Sequence, residues 1–160
     1  MIIIVIGVTA SGKTTVGKLL AEQLGWKFYD GDDFHSPANV KKMSQGNPLS
    51  DEDRKPWLES IQAKIRGAIA GGENAVFACS ALKRSYRRVL RVSSEVVFVY
   101  LHASVALVRD RLRSRTGHFM PPALLQSQFD ALEAPRQALQ IDAALGLNEI
   151  VQTVKNRLSL

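Results

Sequence analysis

The apolar positions of this chain fall into two patterns. Unbroken runs of strand length recur at Ile2 to Ile6, Lys27 to Tyr29 with its flanks, Ala75 to Cys79, Val96 to Leu101 and, weakly, Leu139 to Ile141. They are too continuous to alternate between a wet and a dry face, which is how strands buried on both faces of a parallel sheet read. Between them the spacing changes to three and four, at Val16, Leu19, Leu20, Leu24, then Trp57, Ile61, Ile65, Ile69, then Val105, Val108, Leu112, and last Leu147, Ile150, Val151, Val154, Leu158. Each set lines one side of a helix. Strands alternating with amphipathic helices predict βαβ units and a doubly wound α/β domain. Pro56 suits the first position of the second helix, and Gly71-Gly72 its end. No internal repeat, low-complexity tract or linker breaks the pattern, so residues 1–160 are read as one domain.

Composition narrows the class. With 160 residues and 46% apolar content the chain can bury a sizeable core. The first apolar run stops at Gly7, far short of the ~20 residues of a bilayer span, and no basic stretch precedes it as in a signal peptide. A cytoplasmic protein with no membrane association is expected. The single cysteine, Cys79, excludes an internal disulfide and is expected in the core. A net charge of +6 admits either a nucleic acid or a small polyanion as partner. The excess concentrates in KRSYRR (Lys83 to Arg88) and RDRLRSR (Arg109 to Arg115), which match no nucleic-acid-binding motif and offer only Tyr86 for base stacking. A small polyanion, with no nucleic acid, is the preferred reading.

The stretch after the first strand names that polyanion. Gly7-Val8-Thr9-Ala10-Ser11-Gly12-Lys13-Thr14 fits the phosphate-loop pattern G-x-x-x-x-G-K-[ST] at every fixed position, and Thr15 continues it into a helix. Glycines let the backbone curl so that several N–H groups and the helix N-terminus converge on phosphate oxygens. Lys13 adds a point charge at the β/γ-phosphates, and Thr14 offers a hydroxyl to Mg²⁺, a hard ion that takes oxygen ligands. ATP is the expected nucleotide, although the loop itself does not read the base.

A phosphate loop serves kinases, switches and motors alike, so function has to come from what faces it. The second strand ends in YDGDDFH, Tyr29 to His35. If the backbone stays extended, Asp30 and Asp32 point the same way, toward the carboxyl edge of the sheet where ligands bind. In-line phosphoryl transfer needs a carboxylate that orients the acceptor hydroxyl and takes its proton, a task that suits Asp32. Asp30 could instead hold Mg²⁺ through water. His35 is read either as a substrate hydrogen-bonding group or as a cap and packing residue.

At this point the residues resemble a known family. The loop GVTASGKTT, then DGDDFH, NVKKMSQGNPLSDEDRKPWL, CSALKRSYRRVLR, RLRSRTGHFMP and SQFDALEAP follow one another, in order, as in the gluconate kinases (gluconokinases), relatives of shikimate and nucleoside monophosphate kinases. The likeness runs over roughly residues 1–135. It implies a phosphate-loop kinase fold of three layers, with a five-stranded parallel sheet and a mobile lid whose helices fall at about 104–135. It also implies ATP-dependent phosphorylation of D-gluconate at its terminal hydroxyl, feeding the pentose phosphate route, and usually a homodimer. A kinase for shikimate or another small hydroxy acid is the alternative, because few pocket changes exchange such acceptors.

The remaining polar segments suit a polyol carrying one carboxylate, which calls for cations together with groups for hydroxyls. Arg54, in DEDRKPW, could grip a carboxylate or pair with Asp51 or Asp53. Lys83 and Arg87 lie four apart on one helix face and are, by resemblance, substrate or phosphate contacts. Arg111 and Arg115 are also four apart, ahead of TGHFMPP, where Gly117 and paired prolines break the helix. Such a lid can exclude water and bring guanidinium groups to the transferring phosphate, or the two arginines are solvated. His118 stands between a substrate contact and a loop residue without a role. The third strand ends in FACSALK, with no aspartate to hold a metal there. A GTPase-like switch would need a guanine-reading N/T-K-x-D segment, which the sequence lacks.

Overall fold

In the computed structural model, which describes residues 1–115 and 121–160, the apolar runs become strands. They are β1 (Ile2–Ile6), β2 (Lys27–Asp30), β3 (Ala75–Ala78), β4 (Val96–His102) and β5 (Leu139–Asp142). All neighbours pair in parallel, in the order β2-β3-β1-β4-β5. The central strands β1 and β3 are buried along their whole length, which explains their unbroken apolar sequence, whereas edge strand β2 is half-buried.

The pleat sends alternate residues of β1 into different layers. Ile2, Ile4 and Ile6 pack under Trp57, Ile61 and Ile65 of helix α3 (Asp51–Ala70) and Leu90 of α4 (Arg84–Leu90). Ile3 and Val5 pack on the other face against Val16 and Leu20 of α1 (Lys13–Leu24) and Ile150, Val151 and Val154 of α7 (Leu147–Leu158). Helices on both faces of a five-stranded parallel sheet are the fold class that the sequence predicts. A third, smaller cluster joins Val8 and Ala10 of the phosphate loop to Val108 of α5 (Val105–Ser114) and Leu125 of α6 (Pro122–Ala131). The loop is therefore packed on its outer side by apolar contacts.

Three expectations about local structure are corrected. Pro56 is not the first residue of its helix, because Ser50 and Asp53 form a capping box that starts α3 at Asp51. The Ser50 hydroxyl accepts from Asp53 N–H at 3.1 Å and the Asp53 carboxylate accepts from Ser50 N–H at 2.8 Å, so the cap outweighs the one helix bond that Pro56 cannot make. The backbone is not extended from Asp30 to Asp32 either, since β2 ends at Asp30 and Gly31–Phe34 turn into a 3-10 helix capped by the Asp30 carboxylate. Lys83 does not share a helix face with Arg87, because it is the residue before α4 begins. A helix not anticipated, α2 (Pro37–Ser44), is started by the Ser36 hydroxyl with Pro37 in its first turn.

The capping box carries a prediction. Ser50→Ala is expected to lower stability by about 1 kcal/mol in urea unfolding, the usual worth of an N-cap side chain. Lys42 and the cap hydrogen bonds hold the Asp53 carboxyl down at about 2. Because its folded value is depressed, that stabilisation is present at neutral pH and disappears as the pH falls through the carboxylate range toward the folded value.

Candidate active site

The phosphate loop is shaped by residues that tolerate left-handed backbone. Gly7 has φ 152°, Gly12 φ 100°, and Ala10, with a side chain, is held at φ 57°. A methyl group on Gly7 would sit 2.7 Å from both the Leu101 carbonyl and the Ser11 hydroxyl, so only glycine fits there. The loop is tied to the end of the third strand by Gly7 N–H donating to the Ser80 carbonyl at 3.3 Å. The Ser11 hydroxyl is buried inside the curl without a hydrogen-bond partner among the described residues.

Lys13 opens α1 and folds back over the loop, donating to the Val8 carbonyl at 2.9 Å. Burial lowers its affinity for a proton, while the nearby Asp32, Cys79 and Asp30 act in the opposite direction. An ammonium so placed is short of counter-charge, which an anionic ligand would supply. The Thr14 hydroxyl donates to the Asp30 carboxylate at 2.9 Å, which joins the two residues expected at the metal. Among the described residues no group of three or more His, Cys, Asp or Glu side chains could hold a metal ion by itself.

Beside the loop lies a cavity of about 550 Å³, lined by Thr9, Lys13, Asp32, His35, Arg54 and Ser80 among others. The 3-10 turn, rather than an extended strand, delivers Asp32 to this cavity. Desolvation, and then the charge of Asp30, push the Asp32 carboxyl above its usual range, against the pull of Lys13. His35 stacks on Trp57 with ring centroids 4.4 Å apart and planes 9° from parallel. Trp57 in turn donates its indole N–H to the Gly31 carbonyl at 2.7 Å. Burial holds His35 below its ordinary value, so it presents a neutral ring to the cavity at neutral pH.

Arg54 also reaches the cavity, but not through the ion pairs weighed in its sequence. Asp51 accepts instead from Lys83, at 2.9 Å, and from the Tyr86 hydroxyl, while Asp53 pairs with Lys42 at 2.6 Å. Arg54 is aimed by the Leu49 carbonyl at 2.8 Å and the Tyr86 hydroxyl at 3.2 Å. Among the described residues it forms no ion pair. Arg87, expected as a ligand contact, is buried and spends its guanidinium on the carbonyls of Ala81, Leu82 and Glu133 at 2.7–2.9 Å. It fastens the wall of the cavity instead of lining it.

Arg111 donates to the Ala10 carbonyl at 3.0 Å and to Ala143, so it clasps the phosphate loop to the segment after β5. Arg115 ends α5, is exposed, and stands close enough for its charge to disfavour protonation of Lys13. His118 and the Gly117 break lie outside the described residues. Cys79 is buried as expected, and its thiol is pushed up to about 12 by desolvation. Thiol reagents at neutral pH are expected to leave it unmodified in the native protein and to titrate one thiol after denaturation, read by absorbance of the released thiolate.

Several cavity residues escape sequence reasoning. Met43 and Ser44 at the end of α2, with Gln45, Gly46, Pro48 and Leu49 ahead of α3, form one side. Gln128 of α6 accepts at its side-chain oxygen from Thr9 N–H of the phosphate loop, at 2.7 Å. Neither carries a local signal, since amides, methionines and glycines have no chemistry that marks them until a fold gathers them. The Ser50-x-x-Asp53 box, by contrast, was available as a pattern.

The chain is similar to known proteins along most of its length. Residues 9–144 match the family model described as shikimate kinase. A protein of Gluconobacter oxydans named gluconokinase is 50% identical over 134 residues, covering 83% of this chain and 75% of its own. A Xenopus tropicalis protein named probable gluconokinase is 44% identical over 174 residues, covering 97% of this chain and 92% of its own. The crystal structure of a gluconokinase from Sinorhizobium meliloti superposes with a TM-score of 0.88 at 46% identity, covering 98% of this chain and 90% of that one.

Proposed function

Since the chain belongs to the gluconokinase family, we propose that it transfers the γ-phosphoryl group of ATP to the terminal hydroxyl of D-gluconate, giving 6-phospho-D-gluconate and ADP. The observation that carries the reading is the single cavity in which Lys13 and Thr9 of the phosphate loop meet Asp32, His35 and Arg54. Donor and acceptor groups line one space.

The chemistry follows from those groups. The backbone N–H groups of the loop and Lys13 hold the β- and γ-phosphates, and Arg54 takes the gluconate carboxylate in a bidentate grip. His35 offers a hydrogen bond to a hydroxyl. Asp32 orients the terminal hydroxyl and accepts its proton as the new O–P bond forms and the bond from γ-phosphorus to the bridging oxygen breaks, leaving ADP. Arg115 and His118 would complete the charge around the transferring group and keep water out, while Arg111, held by the Ala10 and Ala143 carbonyls, keeps the phosphate loop in shape. Mg²⁺ fits the Thr14 hydroxyl and, through water, Asp30, and when bound it neutralises phosphate charge. Among the described residues no helix is long and apolar enough to cross a membrane. A cytoplasmic location and a homodimer belong to this reading as well.

A coupled ADP-release assay with gluconate, shikimate and nucleoside monophosphates tests it. Turnover with gluconate well above the ATP-only blank is expected. Turnover with another acceptor and none with gluconate would refute the assignment.

A further inference from the structure

Gln128 is placed as a link between the two halves of the cavity. Its side-chain oxygen accepts from Thr9 N–H at 2.7 Å, and because an N–H donor faces it, that atom must be the carbonyl of the amide. Among the described residues the amide NH₂ has no acceptor, which leaves two donors, and the residue lines the same cavity as Asp32 and Arg54. The helix that carries it is held at both ends and along its length. Leu125 is buried against Val8 and Val108. Beyond its C-terminus, Glu133 N–H donates to the Leu82 carbonyl at 2.9 Å, and the buried Arg87 donates to the Glu133 carbonyl at 2.7 Å. At its start Pro121 lies against Gly46, where an added Cβ would come within 3.3 Å of the proline ring. These contacts fix where Gln128 stands relative to the cavity, and Thr9 N–H fixes its carbonyl.

We propose that Gln128 is a bridging specificity residue: its carbonyl fixes Thr9 of the phosphate loop while its NH₂ donates to an oxygen of the bound polyhydroxy acid. This rests on the small hydroxy-acid kinase reading above. The consequence is a coupling of acceptor recognition to the shape of the phosphate loop. A site built to hydrogen-bond a hydroxyl discriminates strongly, because the unpaired amide is costly when the oxygen is missing.

Two variants separate the halves of the bridge. Gln128→Met keeps the length and removes both functions, so the KM for gluconate is expected to rise about tenfold, the worth of one hydrogen bond in a desolvated site, together with a weaker affinity for ADP. Gln128→Glu keeps an oxygen for Thr9 N–H and removes the NH₂ donors, so it should raise the gluconate KM by at least as much while losing less ADP affinity than Gln128→Met. Circular dichroism confirms folding, KM values come from the coupled assay, and ADP dissociation constants from calorimetry without acceptor. A residue that merely props the loop would move ADP affinity and leave the gluconate KM within about threefold of wild type in both variants, and that result overturns the proposal. If wild-type protein turns over a different hydroxy acid, the gluconate assignment fails by itself, and the same comparison is made with that acceptor.

Discussion

Asp32→Asn is expected to lower kcat by about 10²-fold or more, the usual contribution of a positioned general base, while much of the ATP affinity is retained. Asparagine keeps the shape and one acceptor oxygen but cannot take the proton of the hydroxyl. The environment of Asp32 sharpens this expectation, since desolvation and Asp30 raise its proton affinity while Lys13 opposes them. The acid limb of kcat against pH should therefore lie above the ordinary carboxylate range. Linkage gives the variant a second signature. A carboxyl whose folded value is raised is penalised in its ionised form, so the fold loses stability as pH rises through that value. At neutral pH the asparagine variant is expected to be more stable than wild type in thermal melts, an advantage that vanishes in acid. Near-wild-type turnover would exclude Asp32 as the base.

Lys13→Ala is expected to reduce kcat/KM for ATP by roughly 10²- to 10³-fold, the scale on which removal of one preorganised charge acts in a water-poor site. Both the ATP KM and kcat should suffer, because the ammonium meets the phosphates before and during transfer. The fold should tolerate the change. Lys13 is held by a single carbonyl, that of Val8, and desolvation disfavours its charge, so alanine removes a buried burden along with the catalytic group. Unaltered steady-state kinetics in the alanine variant would sink the phosphate-loop role.

The phosphate loop was readable because its chemistry is local. Glycine at residues 7 and 12, Lys13 and Thr14 act through a curl of backbone that neighbouring residues make among themselves. The strands were readable for a related reason: β1 and β3 are buried on both faces, and burial leaves a run of apolar residues with no solvent-facing break. Asp32 was found for a partly mistaken reason. The residue reaches the cavity by a 3-10 turn capped by Asp30, where an extended strand had been expected. Arg87 shows the opposite case, since arginine advertises charge in any sequence, yet here three carbonyls consume it.

The sequence by itself determined the sheet, the helices that cover it, the donor loop and the carboxylates beside it, because periodicity, glycine conformation and short-range spacing act between near neighbours in the chain. Which cations line the cavity was decided only in three dimensions. Arg54 donates to the Leu49 carbonyl and the Tyr86 hydroxyl and not to a carboxylate, because Lys83 and Tyr86 satisfy Asp51 and Lys42 satisfies Asp53. Gln128 joins the site through Thr9, 119 residues earlier in the chain. Such assignments depend on which partner reaches each charge or amide first, and that is a property of packing between distant segments, where the bare sequence carries no distance.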